Sequence, residues 1–114
     1  MQIMMKRIYS PYDEQDGIRI LVDRLWPRGI KKEDAKIDLW PKAITPSNEL
    51  RKWYSHDEKN WPEFERRYQA EIRLQPEVLD ELKQLAKQEK ITLLTASKYE
   101  QYNHVIVLKA LLEE

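Results

Sequence analysis

The chain has 114 residues and a mass of 13.8 kDa, and its 20 basic and 20 acidic residues leave a net charge of zero. This length favours one domain over residues 1–114, and the charge balance gives no general attraction to nucleic acid or anionic membranes. The lack of cysteine excludes disulfides, thiol nucleophiles, iron–sulfur clusters and thiolate zinc sites. No apolar run approaches the ~18 residues of a membrane span, so we expect a cytoplasmic protein.

Three short segments have the composition of β-strands. The first is Ile3–Tyr9, and the second is Ile18–Asp23, which is rich in β-branched and aliphatic residues. The third, Ile91–Thr95, has the same character. The second and third segments are typical of strands buried on both faces of a parallel sheet. Trp26, Pro27, Arg28 and Gly29 follow the second strand and have the composition of a tight turn.

Helical patterns fill the rest of the chain. Thr45 and Pro46 are predicted as the N-cap and first residue of one helix, and Asn60 as the cap of the next, with Glu63 completing a capping box. Pro76 begins a third helix, and Tyr102–Leu112 forms the last. Strands separated by helices predict an α/β fold: a single small layer domain with a short, largely parallel sheet and about four helices.

Four phrases of the sequence resemble one known family. They are DGIRILVDRLWPRGIKKEDAKIDLW (16–40), TPSNELRKWYSHD (45–57), WPEFERRYQAEI (61–72) and ITLLTASKYEQYNHVIVL (91–108). Together they resemble the YeaO-like family, known as domain of unknown function 488, over nearly the whole chain. The resemblance implies a compact cytosolic α/β domain found mainly in microbes. It implies no established reaction, ligand or catalytic residue.

Basic and aromatic residues follow both central strands, and open α/β sheets bind ligands at the carboxyl ends of their strands. We therefore predict that the two loops meet at one edge of the sheet. They would form a pocket for a phosphate- or carboxylate-bearing small molecule, with arginine forks, a lysine charge and an indole face as its binding groups. The predicted ligand-binding residues are Arg24, Trp26, Arg28, Ser97, Lys98 and Asn103.

His104 is the candidate catalytic residue, because a helix N-terminus favours the neutral imidazole that accepts a proton. A capping or core histidine bonded to the backbone is the alternative. Asp23 is expected to hold one arginine and to leave the other free. The alternative for the arginines is a set of structural ion pairs with Asp23, Asp34 or Asp38, with Trp26 packed in the core. Arg51 is interpreted as a salt-bridge partner of Glu49 or Asp57, and the alternative is that it reaches the rim of the pocket.

Other functions stay open at this point, and enzymatic activity is undecided. A local basic run and two adjacent helices are compatible with a nucleic-acid-binding regulator, and the many aromatic residues with a protein-interaction module of unknown oligomeric state. No cofactor is expected, because two isolated glycines build neither GxGxxG nor a P-loop. No metal is expected either, since His56 and His104 lie far apart and no other histidine or cysteine joins them.

Overall fold

Three parallel strands form the sheet at the centre of the computed structural model, which describes residues 2–55 and 57–114. They are β1 (Ile3–Arg7), β2 (Ile18–Leu21) and β3 (Ile91–Thr95), arranged in the order β1–β3–β2. Leu93 of β3 pairs with Met5 on one side and with Ile20 on the other. The expectation of a parallel α/β fold is therefore confirmed.

In the described part of the chain, five α-helices accompany the sheet, and four of them have seven residues or more. Three short 3₁₀ turns lie between these elements in the same residues. The main core joins sheet residues such as Ile20 and Leu93 to Phe64, Tyr68 and Leu108 from two of the long helices. The helices are α1 (Lys32–Ala35), α2 (Asn48–Tyr54), α3 (Trp61–Arg73), α4 (Pro76–Gln88) and α5 (His104–Leu112).

Two predicted helix caps are wrong in detail. The N-cap of α2 is Ser47 rather than Thr45: the Ser47 hydroxyl accepts from the Leu50 N–H at 3.1 Å. Glu71 of α3 fixes this start, because its carboxylate accepts from both the Ser47 N–H and the Ser47 hydroxyl. Asn60 is the N-cap residue of α3, as predicted, but its side chain makes no capping hydrogen bond, since a 3₁₀ turn runs directly into α3 and leaves Asn60 outside the extended conformation that side-chain caps need.

The last helix begins two residues later than expected. Asn103 is its N-cap, and the Asn103 Oδ1 accepts from the Val105 N–H at 2.9 Å and from the Ile106 N–H at 3.3 Å.

The chain after β2 also departs from a simple turn. Val22 still donates to the Leu94 carbonyl at 2.9 Å, which keeps the segment beside β3 and delivers the next residue, Asp23, to the end of that strand.

A charged cluster lies buried on the sheet face opposite the main core, and the sequence did not reveal it. Arg19 of β2 is only 2% exposed, and its guanidinium donates to Asp16 at 2.5 Å and to the Ala35 carbonyl. Lys6 donates to the same carboxylate. Burial raises the pKa of Asp16, but hydrogen bonds from Lys6, the Asp13 N–H and Arg19 outweigh burial and hold the pKa below its usual value.

Gly17 links this cluster to β2 through a backbone conformation that suits only glycine. Its φ is +68°, and a Cβ atom there would lie 2.2 Å from the Lys90 carbonyl oxygen. The close approach lets the Ile18 N–H donate to that same carbonyl and so start the pairing of β2 with β3.

None of the helices in the described residues combines the length and the apolar character that a membrane span needs.

Candidate functional site

A pocket of about 380 Å³ opens at the carboxyl ends of β2 and β3. The loop after β2 forms one side, the loop after β3 and the start of α5 form another, and α2 contributes a third. Six of the seven residues predicted for the site line it: Arg24, Trp26, Arg28, Ser97, Asn103 and His104. Lys98 is exposed and is not among the lining residues; its ammonium lies 5.8 Å from the ring centre of the adjacent Tyr99.

The Asp23 carboxylate ties together the three segments that meet in this pocket. It accepts from the Thr95 hydroxyl and the Ala96 N–H, both at 2.7 Å, and lies 3.0 Å from the His104 Nε2. Burial raises the pKa of Asp23, yet the hydrogen bond and charge of His104, with those two donors, outweigh burial and lower the pKa overall. The expectation that Asp23 holds an arginine is wrong, because its partner is His104. This histidine is the first residue of α5, and the helix start lies at the strand end.

The contacts of His104 define its tautomer. Its Nε2 lies 2.6 Å from the Val22 carbonyl oxygen, which only accepts hydrogen bonds, so Nε2 carries the hydrogen and faces Asp23 as well. Its Nδ1 has no hydrogen-bond partner among the described residues, and none of their unpartnered side-chain polar atoms is fully buried. The Nδ1 atom is therefore accessible, and His104 lines the pocket. The alternative of a histidine bonded to the backbone therefore holds for the Nε2 atom and not for the Nδ1 atom.

Arg24 is half-buried and is anchored by backbone carbonyls. Its Nε donates to the Pro46 carbonyl at 3.0 Å, and its Nη2 to the Thr45 carbonyl at 3.1 Å. These two bonds use one edge of the guanidinium and leave Nη1 without a protein acceptor among the described residues. An arginine fixed in this way offers its remaining N–H groups in a set direction.

Two further arginines reach the same pocket. Arg28 is exposed, and its backbone carbonyl accepts from the Tyr9 hydroxyl at 2.8 Å, which holds the loop in place. Arg51 projects from α2, and its Nη1 donates to the Asn48 side chain at 3.1 Å. Within the described part of the chain, no carboxylate lies within ion-pair distance of these guanidiniums or of Arg24.

The alternative of structural ion pairs is therefore not what the structure shows. Asp38 accepts instead from the Arg19 N–H at 2.8 Å. Arg51 also lacks the expected ion pair with Glu49 or Asp57. The packing role for Trp26, by contrast, holds in part: it packs beside Leu94, and its indole N–H donates to the Ile30 carbonyl at 2.7 Å, while the ring also lines the pocket.

Polar atoms of the loop after β3 are occupied within the protein. The Ser97 hydroxyl accepts from the Tyr99 N–H, and the Ser97 N–H donates to the Thr95 hydroxyl. Asn103 uses its amide oxygen to cap α5 and its amide nitrogen to bind the Tyr99 carbonyl at 2.7 Å. Ser97 and Asn103 therefore shape the pocket wall, and their side-chain polar atoms already have protein partners.

Some lining residues were not predicted as site residues. Tyr54, Phe64 and Tyr102 contribute aromatic surface from α2, α3 and the segment before α5, and Tyr9 contributes from the chain after β1. The helical spacing of Tyr54 and Phe64 indicates core packing, which both also perform, so the sequence alone does not distinguish them as pocket residues. No three carboxylate or histidine side chains of the described residues converge as metal ligands; His56 lies outside those residues.

Comparison with known proteins gives relatives that cover nearly the whole length of the chain. Residues 2–114 match the family model DUF488-N3i, described as the inactive DUF488-N3 subclade. The chain is 45% identical to the uncharacterized protein YeaO of Escherichia coli K12 over 108 residues, which cover 95% of this chain and 94% of that protein. It is 40% identical over 111 residues to the uncharacterized protein Rv3073c of Mycobacterium tuberculosis H37Rv, covering 97% and 93%. No solved structure matches it.

Proposed function

The chain belongs to the DUF488-N3i family, which confirms its resemblance to domain of unknown function 488, and from this premise we propose that its pocket binds an anionic small molecule. The family is described as an inactive subclade, which favours binding without turnover. A phosphate or a carboxylate group is the chemistry that guanidinium forks bind best.

The arrangement of three arginines around one pocket is the observation that supports this proposal. Arg24, Arg28 and Arg51 all line it, and none is within ion-pair distance of a carboxylate of the described residues. Cations placed together repel one another and lose solvation, and a bound anion relieves both costs. Asp23 does not supply that anion, because His104, Thr95 and Ala96 already occupy its oxygens.

His104 fits this function as a donor to the ligand when its ring is protonated. In its neutral form the Nδ1 atom accepts a hydrogen bond, and in its protonated form it donates one and adds a charge. The Thr95 hydroxyl on the pocket wall donates to Asp23 and not to His104, so the two side chains are not arranged as a nucleophile and its base. Anion binding is therefore better supported than nucleophilic catalysis.

Replacing Arg28 by alanine tests the proposal, because this side chain is exposed and its removal spares the fold. The assay is a titration with inorganic phosphate at low ionic strength, followed by calorimetry and by amide chemical shifts. We expect saturable binding that perturbs pocket amides. Loss of one charge-assisted contact should weaken it about threefold to tenfold in Arg28→Ala.

Arg73→Ala is the matched control, since Arg73 is exposed on α3 and outside the pocket. It removes the same charge from the protein and should leave phosphate affinity unchanged. Equal weakening in the two variants would show that phosphate responds only to net charge. Absence of saturable binding to the unaltered protein would refute the proposal directly.

A further inference from the structure

The polar groups that the pocket leaves available are mainly nitrogen atoms. They are the N–H donors of the arginines and the Nδ1 of His104, which donates when the ring is protonated. Elsewhere on its wall, protein partners occupy most of the polar side chains, and the Tyr102 hydroxyl is the exception among the described residues. The Tyr9 hydroxyl donates to the Arg28 carbonyl, and the Tyr54 hydroxyl to the Tyr102 carbonyl at 3.1 Å. Asp23, Thr95, Ser97 and Asn103 are engaged as described above. A ligand body rich in hydroxyl groups would therefore meet few available acceptors.

The remaining wall is apolar and largely aromatic. Tyr54 and Phe64 stack with ring centres 4.3 Å apart and form a buried base. Trp26 is held edge-on against Trp40 with ring centres 5.4 Å apart. Leu25 is 60% exposed and lines the pocket at its rim. Rings fixed by mutual packing present a rigid surface, which suits a flat apolar group because little ordering is needed on binding.

The size of the pocket supports the same conclusion. A volume of about 380 Å³ lies in the range of small-molecule sites and is much larger than one phosphate group. An anion bound at the arginines leaves most of this space for the rest of the ligand. That space is bounded by aromatic side chains and by Leu25, so its occupant gains free energy mainly from apolar contact.

We infer that the ligand is an aromatic acid: a planar aromatic ring that carries a phosphate or carboxylate group. The inference rests on the proposed function and specifies the body of the ligand as well as its charge. The anionic group contacts Arg24 and Arg28, and the ring lies between Trp26 and Leu25. A sugar phosphate has the same charge but the wrong body for this wall.

Three probes of one charge type separate the ring from the charge: phenyl phosphate, ribose 5-phosphate and inorganic phosphate, titrated by calorimetry at one pH and ionic strength. Benzoate is the carboxylate arm and should bind at pocket amides as well. We expect phenyl phosphate to bind about tenfold more tightly than ribose 5-phosphate, because the free energy gained by partly burying the phenyl ring corresponds to about that ratio of affinities. Equal or tighter binding of ribose 5-phosphate would overturn the aromatic body while leaving anion binding intact. Failure of all four probes would overturn the proposed function itself.

Leu25→Ser examines the apolar rim in a variant that should fold normally, and Leu74→Ser, at a 78% exposed position outside the pocket, is its control. Leu25→Ser should weaken phenyl phosphate about threefold and leave inorganic phosphate unchanged, and Leu74→Ser should change neither. Equal effects of Leu25→Ser on both probes would contradict a ring contact at this rim.

Discussion

Replacing Asp23 by asparagine should destabilise the protein, because this carboxylate connects β2, β3 and α5. Both of its oxygens accept short hydrogen bonds, from the Thr95 hydroxyl and the Ala96 N–H. The His104 Nε2–H points to the same group. Asparagine keeps the shape but replaces one accepting oxygen with an NH₂ donor, which then faces another donor.

The expected loss follows from these three contacts. One donor is left unsatisfied in a region where the Asp23 side chain is only 16% exposed, which costs about 1–3 kcal/mol. The bonds that remain lose their ionic character, and each weakens by about 0.5 kcal/mol or more. The total is about 2–4 kcal/mol out of the ~5–15 kcal/mol that hold a typical domain folded.

The effect should also depend on pH. The pKa of Asp23 is lower in the folded protein than its usual value, so its stabilising contribution is complete above the unfolded pKa of about 4. The contribution is lost as the pH falls through the folded pKa. The difference in free energy of unfolding between the two proteins should therefore be constant near neutral pH and should shrink in acid below about pH 4.

Urea unfolding followed by circular dichroism at several pH values measures this difference. Asp80→Asn is the control, because Asp80 is exposed on α4 and should shift the free energy of unfolding by less than about 0.5 kcal/mol. An Asp23→Asn protein as stable as the control at pH 7 would refute the assigned role of the carboxylate. So would a loss that persists unchanged in acid.

Two further predictions concern the sheet face opposite the main core. Asp16→Asn should lower the free energy of unfolding by about 3 kcal/mol, because it leaves the buried Arg19 without its carboxylate; urea unfolding measures this, and a loss below 1 kcal/mol would contradict the assigned pairing. Gly17→Ala should cost more than about 2 kcal/mol, since its Cβ would collide with the Lys90 carbonyl at a positive φ. A melting temperature equal to that of the unaltered protein would show that the backbone relaxes freely there.

The sheet and the long helices could be predicted because their signals are local. Ile91–Thr95 is β3 with the predicted boundaries, and Pro76 begins α4 as expected. The start of α2 could not be predicted in the same way. Thr45 and Ser47 are both good caps by composition, and the choice is made by Glu71 on another helix, a contact that sequence spacing does not reveal.

The location of the pocket was also predictable, but its internal pairing was not. Parallel strands bring their carboxyl ends to one edge, so Arg24 and His104 were expected to meet there. Charge alone suggested an arginine as the partner of Asp23. The structure instead brings His104 to it, because Asn103 caps α5 directly beside the end of β3. Arg51 was assigned to local acids in preference to the pocket rim, and the packing of α2 brings it to the pocket.

The strand order has a consequence for how this chain reaches its fold. The central strand is β3, which comes last, and within the sheet β1 and β2 each pair with it; β2 also forms one isolated bridge, from Ile20 to Leu39. The two earlier strands therefore wait for residues 91–95 before any strand pairing of the sheet can form. Such long-range pairings slow folding, because a long loop must close before they contribute free energy. During synthesis, the apolar runs of β1 and β2 leave the ribosome well before their partner and stay open to aggregation until it arrives.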